Sequence, residues 1–507
     1  MSPNGKKVVI VGGGIAGLCA AVYAQQCGYQ AEVFEMHDMA GGLAVNWPRG
    51  GYTFENCLHW LYGSNPASPM HAHWLEVCDL DRLKFIDHAE FGRFEAPTGE
   101  SLTVYTNIDR LESEFLRHAP RDAAAIRRFT ADLRALAKFK MPNPAATPIA
   151  NLLALARDIS SLPLLRRLAN TSCRQYAESF TDPLLRSFFG DGDMGQLSAV
   201  ALFFSLAWMH QHDAAYAIGG SQALIRLIEE KLIRLGGHLH LKSKVDRILV
   251  DDGQAFGIQL VGGDTIAADW VISAADGHAT LYNLLGGRYL SNAAKKTYTT
   301  LQTFPSYLQV SLGIARDLSD QPPIATRLLR TPLHLDPGTP LGQVSFRFFN
   351  FDPTFAPAGK TAITCFLPTR NHRYWTQLRQ SDPAAYHAEK HRVAEAVIAI
   401  LEQKIPGIHT AIEVVDVATP ATVIRYTGNW KGSMEGWFLS PGSRFRSLPN
   451  TLPGLGHFLM VGQWVMPGGG LPSGPMTARP AIQTMCKKDH VRFLPHPHPA
   501  DLLLHPV

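Results

Sequence analysis

Four apolar, β-favouring residues, Val8-Val9-Ile10-Val11, run into Gly12-Gly13-Gly14-Ile15-Ala16-Gly17, after which Leu18, Ala21 and Val22 fall on one helical face. This predicts a strand, a tight turn and a helix. Ala31-Glu32-Val33-Phe34-Glu35 reads as a second, parallel strand. From 107 to 214 the pattern becomes helical, through Asp109-Arg110-Leu111-Glu112 and Leu152-Leu153-Ala154-Leu155 to Val200-Ala201-Leu202-Phe203-Phe204, with few strand signals. Gly219-Gly220 opens a helix that ends near Leu235, and strands over 238–241, 247–250, 255–261 and 270–274 lead back to the first domain. Residues 295–450 mix strands at 307–314, 343–349 and 361–367 with an amphipathic helix around 385–401, which predicts an antiparallel sheet in an α+β second domain. Phe458-Leu459-Met460-Val461 is a last short strand, and Gly462 to Pro472 a loop that opens a helix.

The expected class is therefore α/β with discontinuous domains. Residues 1–106, 215–292 and 452–490 form one domain, 107–214 a helical insertion, 293–451 the second domain, and 491–507, with Pro495-His496-Pro497-His498-Pro499, a frayed tail.

A chain of 507 residues exceeds one core. Charged residues are only 18% and hydrophobic ones 46%, which leaves room for an apolar working surface as well as the cores. The net charge of +4 does not fit a nucleic-acid partner, whose basic residues would cluster on one face. Seven cysteines form no Cys-x-x-Cys pair, so reduced thiols and no metal site are expected. No apolar run reaches 18 residues and no secretory signal opens the chain, so a cytoplasmic location with at most peripheral membrane contact is expected. Such contact would fall on 117–168, where Arg117, Arg121, Arg127, Arg128, Arg134, Lys138, Lys140, Arg166 and Arg167 interleave with apolar residues. An ordinary solvated helix face is the alternative. Oligomeric state is left open.

Gly12, Gly14 and Gly17 match G-x-G-x-x-G: the first permits the turn, the second lets backbone approach a pyrophosphate, and the third lets helix pack close on strand. Ile15 and Ala16 open the helix whose free N–H groups and dipole would meet the phosphates. Glu35, 18 residues after Gly17, can accept the ribose hydroxyl protons of an adenosine and repels a 2′-phosphate. No second such fingerprint follows a strand, so a separate nicotinamide site is not expected. A Ser-His-Asp hydrolase arrangement finds no local context either.

With Gly12 to Gly17, Glu35 and Gly41-Gly42, the segments Tyr52-Thr53-Phe54-Glu55-Asn56-Cys57-Leu58-His59-Trp60, Gly219 to Leu224 and Gly462 to Pro472 resemble the phytoene desaturase, carotenoid isomerase and retinol saturase family of FAD enzymes. The resemblance implies a Rossmann-like FAD-binding domain of the two-dinucleotide-binding, glutathione-reductase-2 type. It also implies non-covalent FAD and an apolar polyene or isoprenoid substrate. Carried over residue by residue, Gly41, Gly42 and Leu43 would continue the FAD site, Val245 would contact the adenine through its backbone, and Ala275 would end a strand beside the cofactor. Gly462, Gly469, Gly470, Leu471 and Pro472 would stabilise negative charge at the pyrimidine edge of the flavin. His59 and Trp60 are the first candidates to line the flavin face or polarise substrate, with core packing as the alternative; Trp208 and His210 could line a tunnel. The chain departs from the family at Glu55, often Asp, and at Thr477-Ala478-Arg479, where the family has Ser-Gly-Arg.

The expected function is an FAD-dependent oxidoreductase that desaturates or saturates carbon–carbon bonds of an apolar lipid. A redox-neutral cis–trans isomerase and a non-catalytic prenyl or lipid escort protein are the alternatives.

Overall fold

Val8 to Val11 are buried at the centre of a parallel sheet, as an apolar run with no polar face requires. The computed structural model describes residues 5–139, 161–190, 194–442 and 448–495. Among these, the sheet has five strands in the order His238–His240, Gln30–Phe34, Lys7–Val11, Trp270–Ser273 and Phe458–Met460. Every neighbouring pair is parallel. The strand Phe458–Met460 thus lies two places from Lys7–Val11.

The helix Ile15–Gln26 is buried from Ala16 to Ala24, on all its faces rather than one stripe. It packs on Lys7–Val11, on Gly220–Arg234 and on the last helix, Ser473–Lys488. A helix this apolar all round has to be sandwiched.

A seven-stranded sheet forms the second layer, in the order Ile412–Ala418, Ser306–Ile314, Thr361–Thr369, Pro340–Phe348, Ile324–His334, Glu90–Glu95 and Ser101–Tyr105. It departs from the expectation in two ways. Glu90–Glu95 and Ser101–Tyr105, expected with the first domain, join this sheet, and Ala325 pairs in parallel with Arg93, so the sheet is mixed. Pairing across more than 200 residues leaves no local signal at either strand. Leu308, Val310 and Leu312 pack with Val393, Val397 and Leu401 of the helix Pro383–Lys404, while Tyr307, Gln309 and Ser311 alternate to the opposite face. There Tyr307 donates to Asn56 Oδ1, and Gln309 Nε2 donates to the Glu55 carbonyl 3.0 Å away.

The region 107–214 builds a separate aromatic-rich core from Ile108–His118, Ala123–Lys138, Leu162–Ala169, Cys173–Ala177, Pro183–Phe188 and Ala199–His210. The basic stretch 117–168 lies partly here, and several of its arginines are paired: Arg117 with Glu114, Arg134 with Asp109 and Glu112, Arg167 with Asp132. Lys140 lies outside the described residues. No described helix is long and apolar enough to cross a membrane. The frayed tail needs correction at its start: Phe493 packs on Tyr23, ring centroids 5.9 Å apart, and lies under the Arg479 guanidinium. An aromatic ring with a buried apolar partner has reason to stay docked; residues 496–507 lie outside the described residues.

Candidate functional site

The glycine turn is built by close backbone approach. Gly12 has φ +98°, and a Cβ there would meet the Ala275 amide nitrogen at 3.2 Å. Gly41 N–H donates to the Gly13 carbonyl, 2.9 Å, and ties the second glycine pair onto the first. A Cβ on Gly14 would have nothing nearer than Gly41 and Gly42 at 3.9 Å, so this position is open. No side chain caps the helix Ile15–Gln26, and its first turn holds no acid. Glu35, 6% exposed, accepts from Gly13 N–H at 2.7 Å and His37 N–H at 2.8 Å, leaving lone pairs on both oxygens.

Glu35, Gly42 and Leu43 line a groove of about 890 Å³. Leu43, Asn56 and Tyr307 line both this groove and a second cavity of about 1700 Å³. The far wall of that cavity is the C-terminal loop, including Gly469, Gly470, Leu471 and Pro472. The N-terminal glycine turn and the loop from Gly462 touch: a Cβ on Gly462 would lie 3.2 Å from Ala16 Cβ, and one on Gly474 3.1 Å from Ile15 Cγ1. The helix Ser473–Lys488 also has no side-chain cap, since Ser473 Oγ donates back to the Gly470 carbonyl.

Val245 and Ala275 lie behind these walls. Val245 packs with Val9, Val11 and Phe34, and the preceding Ser243 N–H donates to the Glu35 carbonyl at 2.7 Å. An uncapped helix N-terminus, an open glycine beside Gly41 and Gly42, and a carboxylate in a groove that shares Leu43, Asn56 and Tyr307 with the larger cavity fit a dinucleotide ending in a planar ring.

His59 and Trp60 both line the larger cavity, edge to face with centroids 5.8 Å apart. Burial, reinforced by the Arg347 charge, holds the His59 imidazole well below its ordinary pKa, so it is neutral. Trp208 lines the same cavity, stacked on Tyr62 at 4.0 Å; His210 does not, accepting instead from Ile108 N–H.

Four wall residues carry no motif. Alternate positions of three strands, 324 and 326, 343, 345 and 347, 366 and 368, all face the cavity, which brings in Arg347 and Phe366. Arg347 is buried and donates to the Leu58 carbonyl at 3.1 Å. The alternation Gln343-Val344-Ser345-Phe346-Arg347 was the available signal for it. Tyr307 could be found the same way, whereas Glu435, in a loop, offers none. Below the cavity, the fully buried Glu55 accepts from Cys57, Leu58 and Ser221 N–H groups and from the Ser221 hydroxyl, joining this segment to the start of Gly220–Arg234. Burial raises the Glu55 pKa against those bonds.

The sequence pattern of the flavin containing amine oxidoreductase family matches residues 15–403, and the chain belongs to that family. It is therefore a flavin-dependent oxidoreductase with FAD as its cofactor, which sets aside the escort reading. Among its relatives, it is 24% identical to a 4,4'-diapophytoene desaturase (4,4'-diapolycopene-forming) of Methylomonas sp over 526 residues, covering 98% of each chain. It is 23% identical to prolycopene isomerase 1, chloroplastic, of an Oncidium hybrid cultivar, covering 91% of this chain and 81% of the other. Its fold is similar to that of cyclohexylamine oxidase from Brevibacterium oxydans IH-35A, with a TM-score of 0.60 at 14% identity, covering 96% and 100% of the two chains.

Proposed function

We propose that this enzyme removes or adds hydrogen at carbon–carbon bonds of a long apolar polyene or isoprenoid. Gly12, Gly14, Ile15, Ala16 and Gly17 would hold the pyrophosphate, Glu35 the ribose, and Gly41, Gly42 and Leu43 the middle of the cofactor. Val245 and Ala275 would back the adenine and the turn. Gly462, Gly469, Gly470, Leu471 and Pro472 would bring the positive end of the last helix to the pyrimidine edge. FAD, when bound, supplies a two-electron hydride acceptor or donor.

The observation that carries this reading is the composition of the 1700 Å³ cavity. Its size exceeds the roughly 300–1,000 Å³ of ordinary small-molecule pockets, room for a long substrate beside the flavin ring that its Gly469 to Pro472 wall would meet. Its walls are mainly apolar and aromatic, from Phe91 and Trp208 to Leu439. Its charged residues are Arg166, Arg174, Arg347, Arg370 and a single carboxyl, Glu435, among the described residues. An ammonium substrate would meet net positive charge there, whereas a polyene would not be opposed. The chain's part is to align one C–H bond and to exclude water, with His59 and Trp60 lining the reacting face. A redox-neutral isomerase is the second reading, favoured by the prolycopene isomerase relative.

Anaerobic mixing with phytoene tests the proposal. Bleaching of the flavin absorbance means desaturation; conversion of an unsaturated polyene only after chemical reduction means saturation or isomerisation, which product mass separates. Failure of every polyene to react in either redox state removes the proposal.

The cofactor assignment has its own check. Glu35→Arg loses two charge-assisted hydrogen bonds and puts a cation in the groove, so flavin retention should fall by about tenfold or more. Unchanged occupancy after gel filtration would refute the role given to Glu35.

A further inference from the structure

Glu435 is the only acidic residue among the described residues that line the large cavity. It sits on a loop pressed against the C-terminal glycines: a Cβ on Gly469 would lie 2.4 Å from the Glu435 carbonyl oxygen. No hydrogen bond or ion pair engages its carboxyl group among the described residues. Half-buried and lining the cavity, Glu435 is the one carboxyl there available to whatever the cavity holds, among the described residues. Nothing in the proposed binding of FAD uses it.

The groups around it cannot take its place. Cys57, whose thiol feels the Glu435 charge, is pushed up by burial first and by Glu55 and Glu435 next. Tyr307 is likewise raised by burial, and Tyr62 is pushed up to about 12, again chiefly by burial. His59 is held neutral, and the arginines do not release protons. Burial pushes Glu435 itself up to about 7, where a group can both take and give a proton near neutral pH.

We propose that Glu435 is the proton carrier of the reaction, its carboxyl group exchanging one proton with the carbon skeleton held against it in the cavity. The inference rests on the carbon–carbon chemistry proposed above. In desaturation of a CH–CH unit, one hydrogen leaves as hydride with its electron pair, which the enzyme's flavin chemistry accounts for. The neighbouring C–H bond breaks heterolytically: its electron pair becomes the new π bond, and its proton forms the O–H bond of Glu435. Saturation runs the same transfers in reverse. In isomerisation, protonated Glu435 gives its proton to the polyene, one double bond becomes single and rotates, and the proton returns, with no net change in electrons.

Two measurements on flavin-loaded protein test this. In infrared difference spectra across pH 5 to 9, the native protein should show a carboxylic acid C=O band that titrates near neutrality, and Glu435→Gln should lack it at unchanged flavin content. With phytoene, Glu435→Gln should turn over about 100-fold more slowly, and Glu435→Asp should recover part of the rate with a shifted pH profile. The idea is overturned if no such band titrates, if the band survives in Glu435→Gln, or if that variant keeps native turnover and pH dependence. Should native protein leave every polyene unchanged, the functional reading fails while the infrared titration still decides Glu435. A band lost in Glu435→Gln supports its proton-holding role, and an absent or surviving band refutes it.

Discussion

Gly17→Ala should yield protein that retains no flavin and unfolds at a lower temperature. A Cβ at this position would lie 2.0 Å from the Gly12 carbonyl oxygen and 3.1 Å from Ala274 Cβ. The nearer obstacle is backbone, so the first turn of Ile15–Gln26 must move away from Lys7–Val11 by more than an ångström. Overpacking of this kind costs about 1–3 kcal/mol, and a helix buried on every side has nowhere to move without opening contacts to Ser473–Lys488 as well. The same turn carries the uncapped N–H groups proposed to hold the pyrophosphate, so its displacement would remove the phosphate site along with the packing. Gly14→Ala separates the two effects, because its Cβ has room within the protein, nothing lying nearer than Gly41 and Gly42 at 3.9 Å, but would stand where the pyrophosphate is proposed to approach. It should keep the native unfolding temperature and still lose flavin. The ratio of flavin to protein absorbance, read beside a thermal melt, checks both; a native ratio in Gly17→Ala would contradict the packing argument.

The contrast between those glycines shows what was legible beforehand. Gly12, Gly14 and Gly17 could be read because each answers a local demand, a turn, an open approach or a close helix, that only glycine meets. Glu35 was readable from its place at the end of the second strand. The return of Gly462 to Pro472 was readable because a short apolar strand before a glycine loop repeats the opening motif. The hidden features depend on distant partners. Glu90–Glu95 becomes part of the second sheet only through Ile324–His334, and Arg347 faces the cavity only because the register of three strands sets its side. Glu435 takes its meaning from surroundings drawn from other parts of the chain, Cys57 and Gly469, and a lone glutamate in a loop carries no pattern. Local demands leave a mark on sequence; juxtaposition does not.

Breaking the ion pair behind the site should cost the most. Arg479, in the helix whose first turn follows the cavity loop, donates through Nε to Glu76 at 2.8 Å and through Nη2 at 3.2 Å. Tyr23 OH donates to the same carboxylate at 2.7 Å, and His73 lies 3.4 Å from it. Both charged side chains are largely buried, 12% and 8% exposed. Glu76→Ala would leave the guanidinium buried without a counter-charge, a loss of about 3–5 kcal/mol, or roughly 3–5 °C in unfolding temperature for a chain of this length. Replacing both partners, Glu76→Met with Arg479→Leu, should recover most of it, because the penalty lies in the orphaned charge. The pH dependence follows in sign. Burial opposes ionisation of Glu76, but bonds from His73, Arg479 and Tyr23 outweigh it and lower its pKa below the ordinary 4.5. A group depressed on folding contributes stability above its unfolded pKa and loses it as pH falls through the folded one, so native protein and Glu76→Ala should converge only in acid. Because Ser473–Lys488 also carries the loop Gly468 to Pro472, flavin retention should weaken with the melt in Glu76→Ala and return in the double variant. A single variant as stable as the native protein at neutral pH would show that the pair does not hold this helix in place.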